Sequence, residues 1–348
     1  MKNSSFCFGG RETRLRFENR PDLHPAAGRT VTVFDANTHR LFGGGIEEPL
    51  IVPAGEGAKS WPHVEELLEA ALSRGLARDD TFVAVGGGVV CDLTAFAASI
   101  YMRGCGLILI PTTLLAMVDA SLGGKTGINF RGYKNMVGTF YPAGEIRICA
   151  AFLDSLPPRE FSAGLAEVIK TGMLGDPELL RLMEQRRGEV TARSPRILAE
   201  IVRRCLIVKG GIVAADPLEG GRRAVLNLGH TFAHALETLG GLERWNHGEA
   251  VAWGLHQALG LGVELGVTRP EYARRISRLL RDYGFTDSGL PAFESSEAGE
   301  PASRLVEAIR ADKKRRGGSL QLVLQRDLGD TLIEAVEPEA LRAYLRSK

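Results

Sequence analysis

The first half of the chain alternates short apolar runs with stretches of helical period. TVTVFDAN (30–37), TFVAVGGG (81–88) and GLILIPTT (106–113) are rich in β-branched and apolar residues and are bounded by turn formers, which predicts strands. Between them WPHVEELLEAALSRGL (61–76) and VCDLTAFAASIYMRG (90–104) repeat apolar positions at three- and four-residue spacing, which predicts helices. Such alternation predicts βαβ units around a mainly parallel sheet. Beyond residue 155 the pattern changes: FSAGLAEVIKTGML, PRILAEIVRRCLIVKGGIV, RAVLNLGHTFAHALETL and RRISRLLRDYGF keep helical period, and few strands are evident. The Pro157–Pro158 pair in DSLPPRE lies at the switch. The expectation is an α/β domain over 1–155 followed by a mainly helical domain over 156–348.

At 348 residues with 44% hydrophobic content the chain can bury two cores. Its 43 basic residues against 42 acidic ones leave a net charge of +1, so no global field favours nucleic acid or a membrane surface, and any anion site must be local. Cys7, Cys91, Cys105, Cys149 and Cys205 form no CxxC and no close pairs, which fits free thiols in a reducing compartment. MKNSSFCFGGRETRLRF lacks the apolar core of a signal peptide, and no apolar run reaches the roughly 18 residues of a membrane span, so the expected location is the cytoplasm.

Three stretches carry candidate chemistry. In AVGGGVVCDLTAF a strand runs into Gly86, Gly87 and Gly88 and then a helix, where backbone N–H groups can hold a pyrophosphate; this is not the GxGxxG fingerprint, and a tight turn without a ligand fits equally well. The loop PTTLLAMVDASLGGKTGINFRGYKNMVGTFYP gathers Asp119, Lys125, Lys134 and Asn135 between apolar flanks, which points to an anion or nucleotide. NLGHTFAHALETLGGLERWNHGEAVAWG (227–254) holds three histidines and three glutamates. His230 and His234 stand four apart, one helix face, but Thr231 occupies the position where a zinc protease needs Glu. His247 follows a break and opens another apolar run, so ligands from two helices can meet.

In this order GGGVVCDLTAF, YMRG, IPTTLLAMVDASLGGKTGIN, KNMVGTFYP, LPPREFSAGLAEVIKTG, NLGHTFAHALE, HGEAVAWG and DKKRRGG resemble the 3-dehydroquinate synthase family over about residues 30–330. The resemblance implies a Rossmann-like NAD-binding α/β domain followed by a helical domain for metal and substrate. It implies conversion of 3-deoxy-D-arabino-heptulosonate 7-phosphate to 3-dehydroquinate and phosphate in the shikimate pathway. A carbinol is oxidised by NAD, phosphate is eliminated, the ketone is reduced back, and an intramolecular aldol step closes the ring.

By the same resemblance the metal ligands are Glu167, His230 and His247, a mixed N and O set suited to Zn2+ or Co2+ with a position left open. Lys170 would stand near the metal-bound hydroxyls, and His234 would contact the phosphate with Lys125, Asn135, Asn227 and Lys313 or Lys314. Arg103 would reach across from a second subunit of a homodimer, and Lys209 with Arg223 would hold the substrate carboxylate. The NAD contacts implied are Asp35, Asn37, Glu56, Lys59, Gly87, Gly88, Asp92, Thr112, Thr113, Asp119, Lys125, Lys134, Phe152, Leu153, Asp154 and Ser155. Lys59, Lys313 and Lys314 also fit ordinary surface lysines. Cys91 and Ala233 stand where the family usually has Gly, and both are small. Related cyclases of the 2-deoxy-scyllo-inosose and 2-epi-5-epi-valiolone type, a metal-dependent polyol dehydrogenase and a noncatalytic NAD-binding relative are the alternatives. The first group uses substrates without a carboxylate, which Lys209 and Arg223 would not suit.

Overall fold

A computed structural model describes residues 4–20, 22–24, 28–241, 244–287, 289–290, 300–314 and 320–348, with residues 312–314 as backbone alone. The chain divides into two compact units, one of residues 1–161 and 189–220, the other of 162–188 and 221–348.

The first unit is built on a seven-stranded sheet. Its strands are β1 (Ser4–Phe8), β2 (Arg11–Phe17), β3 (Thr30–Asp35), β4 (Leu50–Val52), β5 (Thr81–Gly86), β6 (Gly106–Pro111) and, after a hairpin of β7 (Lys125–Phe130) and β8 (Tyr133–Phe140), β9 (Glu145–Ile148). The order is β1-β2-β9-β6-β5-β3-β4, parallel throughout except for the antiparallel β1–β2 hairpin. The inner strands β3 and β5 are buried almost without alternation because helices cover both faces. From β3 the chain passes through the helix Ala36–Phe42 to β4, then through the helix Trp61–Ser73 to β5 on the other side of β3. Strand order therefore reverses at β3 and β5, whose carboxyl ends are Asp35 and Gly86. Crevices at such reversals are where open α/β sheets bind ligands.

Three features of the first unit differ from the sequence expectation. The N-terminal residues form the β1–β2 hairpin at the sheet edge, with Phe8, Thr13 and Leu15 buried; two apolar positions among charges leave too short a period to read. The expected loop after β6 contains a π-helical turn, Ala116–Ala120, and the β7–β8 hairpin, whose strands cross at facing glycines: a Cβ on Gly138 would come within 1.9 Å of the Thr126 carbonyl oxygen. The helix Pro195–Ala215 belongs to the first unit, not to a continuous domain 156–348. Gly210 explains its approach, since a Cβ there would lie 2.4 Å from the Phe6 ring on β1.

The second unit is mainly helical, with helices Pro177–Gln185, His230–Leu239, His247–Glu264, Pro270–Asp282, Pro301–Lys314 and Pro338–Arg346 beside the greater part of Pro158–Gly175. Proline opens several of them, where its missing N–H costs nothing. His247–Glu264 is apolar nearly all round and lies at the centre. A hairpin of β10 (Leu320–Asp327) and β11 (Asp330–Val336), not foreseen among the helices, packs here, and its inward Gln325 donates to the Met173 carbonyl at 2.7 Å. Among the described residues no helix is long and apolar enough to cross a membrane.

Candidate metal and nucleotide sites

Three side chains converge inside the second unit. Glu167, in the helix Pro158–Gly175, is fully buried; His230 Nε2 lies 3.5 Å and His247 Nε2 3.4 Å from its Oε1. One donor atom from each residue lies within 4.8 Å of the other two. Distances of 3.4–3.5 Å are long for hydrogen bonds. They match the edge of a tetrahedron whose corners sit about 2.1 Å from a common centre, which is roughly 3.4 Å. On geometry and donor chemistry the residues fit a divalent cation.

Glycine makes the convergence possible. A Cβ on Gly248 would lie 2.2 Å from the Ala163 Cα, so the helix carrying His247 touches the helix carrying Glu167 one turn before that carboxylate. A Cβ on Gly254 would lie 2.1 Å from the carbonyl oxygen of Gly229, the left-handed residue (φ 79°) that precedes the helix of His230. His247 itself is the first residue of its helix, held by a capping box: the Asn246 side chain accepts from the Glu249 N–H at 2.9 Å, and Glu249 accepts from the Asn246 N–H at 2.9 Å.

The electrostatics suit ligation. Burial alone would raise the Glu167 pKa, but Lys170, whose Nζ lies 2.5 Å from Oε2, and both histidines hold it well below its ordinary value. Burial and then Lys170 hold His230 well below the ordinary imidazole range, so it is neutral, as a ligand must be. At His247 burial is outweighed by Glu167 and by Glu237, which raise its pKa to about 10; that proton is one a divalent cation would displace. Glu237, whose Oε1 lies 3.6 Å from His247 Nδ1, was not singled out from the sequence. Its signal was available: it stands seven residues after His230, on the same helix stripe. His234, half-buried on that stripe, meets the His230 ring edge to face with centroids 5.6 Å apart.

The remaining second-unit residues are placed as follows. Lys170 is buried rather than solvated. Arg223 is also buried, at 2% exposure. It does not share a helix with His230: Arg222–Asn227 is a 3-10 turn, and left-handed Gly229 breaks the chain before the helix begins. Asn227 ends that turn half-buried. The backbone of Lys313 and Lys314 closes the helix Pro301–Lys314, and their side chains lie outside the described residues.

In the first unit Asp35, Asn37, Gly87, Gly88, Thr112 and Thr113 stand at or just after the carboxyl ends of β3, β5 and β6. Gly87 caps the helix Gly88–Ile100 with no side chain over its first N–H groups, which leaves them to an anion. Gly86 is there for space: a Cβ would lie 2.6 Å from the Val90 side chain. Asp35 caps the helix Ala36–Phe42, its Oδ1 accepting from the N–H groups of Asn37 and Thr38 at 2.8 Å each. Thr112 is buried and donates its N–H to the Gly86 carbonyl at 2.9 Å, while Thr113 Oγ1 accepts from the Ala116 N–H at 3.1 Å.

Lys59 is no surface lysine. It is 3% exposed and its Nζ donates to Asp92 Oδ2 at 2.7 Å and to Asn135 Oδ1. Asn129, another residue the sequence reading missed, holds this group together: its amide donates to Glu56 Oε1 and accepts from the Asn135 N–H, each at 2.9 Å. Asn135 needs that support because its φ is 52°. Lys209 donates to the carbonyl and to Oδ1 of Asp119, both at 2.7 Å, and Lys125 meets Glu219 at 2.7 Å. Lys134 is half-buried on β8. The FLDS stretch is a 3-10 turn with Phe152 and Leu153 in the core and Asp154 and Ser155 towards the surface; Arg193 holds the Leu153 and Asp154 carbonyls at 2.7 and 3.2 Å. Met102 and Arg103 are exposed and left-handed, φ 48° and 68°.

Residues 49–163 match the family model for the 3-dehydroquinate synthase N-terminal domain, and residues 164–315 match that for its C-terminal domain. A 3-dehydroquinate synthase of Acidithiobacillus ferrooxidans is 44% identical over 323 residues, covering 90% of this chain and 86% of its own. A structure of 2-epi-5-epi-valiolone synthase from Streptomyces hygroscopicus subsp. jinggangensis with NAD+ and Zn2+ bound superposes with a TM-score of 0.84 at 27% identity, covering 96% of this chain and 95% of its own. A 2-deoxy-scyllo-inosose synthase complexed with carbaglucose-6-phosphate, NAD+ and Co2+ gives a TM-score of 0.86 at 23% identity, covering 99% and 100%.

Proposed function

The chain belongs to the 3-dehydroquinate synthase family, and from that premise we propose that it turns 3-deoxy-D-arabino-heptulosonate 7-phosphate into 3-dehydroquinate and phosphate using NAD and one divalent cation. The observation that carries the metal part is the meeting of His230 and His247 at the fully buried carboxylate of Glu167. The zinc and cobalt in the two related cyclases support either ion, and the NAD+ in both supports the nucleotide. When bound, the cation polarises substrate oxygens and NAD takes up and returns one hydride, so the net change is elimination of phosphate by a carbon–oxygen lyase.

The protein's own groups do the rest. Lys170 keeps Glu167 anionic and stands where its Nζ can hold a proton for a substrate hydroxyl. Arg223 offers a planar fork to the substrate carboxylate, with Lys209 as the second cation while it also steadies Asp119. Lys125, Asn135, Asn227 and His234 receive the phosphate with Lys313 or Lys314, and Arg103 does so from the second copy of a homodimer. The uncapped start of Gly88–Ile100 receives the NAD pyrophosphate, flanked by Asp35, Asn37, Glu56, Lys59, Asp92, Thr112, Thr113, Asp119, Lys134 and the main chain of 152–155. Five free thiols, four of them buried, support a reducing compartment, the cytoplasm.

The test is phosphate release from the heptulosonate phosphate, with and without NAD and a chelator. Release that needs both cofactors is expected. Cyclisation of glucose 6-phosphate or sedoheptulose 7-phosphate, with the heptulosonate refused, would move the protein to another cyclase class.

A further inference from the structure

We infer that Glu237 is a positioning residue of the metal centre: its carboxylate accepts a hydrogen bond from Nδ1–H of His247 and so presents Nε2 to the cation. This rests on the ligand reading above. The His247 ring lies between two carboxylates on its opposite nitrogens, with Nε2 3.4 Å from Glu167 and Nδ1 3.6 Å from Glu237. Glu237 is 6% exposed, and a buried carboxylate requires a partner for its charge.

His230 repeats the arrangement. Its Nδ1 lies 3.2 Å from the Leu228 carbonyl, and its Nε2 faces Glu167 at 3.5 Å. A neutral imidazole has one N–H and one lone pair, so an acceptor behind Nδ1 holds the proton there and leaves Nε2 for the metal. For His230 that acceptor is backbone, beyond the reach of substitution; for His247 it is a side chain. The 3.6 Å separation is an ion-pair distance, and a small turn of the ring brings Nδ1–H into hydrogen-bond range. The helix supplies the geometry: His230 and Glu237 are two turns apart on one stripe, so the same helix gives one ligand directly and orients another.

The experiment titrates the metal-free full-length protein with Co2+ and follows its visible absorption in wild type, His247→Ala, Glu237→Gln and Glu237→Ala, with circular dichroism to verify folding. Glu237→Ala should bind Co2+ about 10- to 100-fold more weakly with a shifted ligand-field spectrum, and Glu237→Gln should lie between. If His247→Ala binds Co2+ like wild type, the ligand reading fails and the inference with it. If His247→Ala loses the ion while both Glu237 variants keep wild-type affinity and spectrum, Glu237 positions nothing and only the inference is overturned. A Glu237 variant that melts earlier yet binds Co2+ unchanged overturns it in the same way.

Discussion

Gly248 and Ala163 touch backbone to backbone: a Cβ on the glycine would lie 2.2 Å from both the Cα and the carbonyl oxygen of the alanine. In an open helix Gly→Ala gains about 1 kcal/mol of propensity. Here overpacking opposes it by roughly 1–3 kcal/mol and pushes His247 away from Glu167. Gly248→Ala should therefore lose stability in urea unfolding and weaken Co2+ binding together. A stabilised variant with intact Co2+ affinity would mean that the two helices can slide apart freely.

Metal removal should be felt in stability as well as turnover. A ligand that binds only the folded state at about 100 times its Kd contributes about 2.7 kcal/mol. Chelation should lower the melting temperature and stop phosphate release, with both recovered by one equivalent of Zn2+ or Co2+ per chain. Full turnover in rigorously metal-free protein would exclude the reading.

Lys59→Met should be costly although it keeps most of the side chain's length. Burial raises the Asp92 pKa and Lys59 opposes that rise, so removing the cation strands a carboxylate. Truncating a buried pair costs roughly 3 kcal/mol or more. Denaturant unfolding should detect this loss, and Asp92→Asn in the same chain should recover part of it. Additive losses would show that the two residues do not depend on each other.

Arg223→Ala should cost roughly 2–5 kcal/mol of transition-state binding, a loss of about 30-fold or more in kcat/KM, if its guanidinium holds the carboxylate. Because the side chain is 2% exposed, Arg223→Lys serves as the control that keeps charge but loses the bidentate fork. NAD affinity, measured by fluorescence titration, should be unchanged in both. A kcat/KM loss under about threefold in the alanine variant would assign the carboxylate elsewhere.

Arg103 sits on strained backbone, φ 68° after Met102 at 48°. If it serves a neighbouring copy, mixing Arg103→Ala with His247→Ala protein should restore part of the activity that each lacks, since one hybrid site has both residues intact. A fully active monomer in sedimentation would contradict this.

Much of the fold was legible because its elements announce themselves locally. The apolar runs of β3, β5 and β6 and the helical periods between them belong to segments buried on fixed faces, and periodicity reads faces. The glycine turn at Gly86–Gly88 was visible between a strand and a helix, and His230 and His247 stood out by their clustering, whereas Glu167 entered only through the family resemblance. The hairpins β1–β2, β7–β8 and β10–β11 escaped because their strands mix charge with apolar positions and depend on pairing partners.

Other properties depend on pairs of residues far apart in the chain, and no window of sequence contains such a pair. Residue types and helix periods were enough to single out the histidine cluster and an anion-binding turn, and the family resemblance supplied the metal set. Whether Lys59 is a surface cation or a buried partner of Asp92, 33 positions away, depends on how β5 and the following helix pack. The helix Pro195–Ala215 reads like its neighbours, yet Gly210 against Phe6 assigns it to the first unit. Gly248 and Gly254 are small residues until Ala163 and Gly229 stand against them. The composition thus supplied the chemistry, and close packing, which acts between surfaces rather than along the chain, selected which of those groups meet.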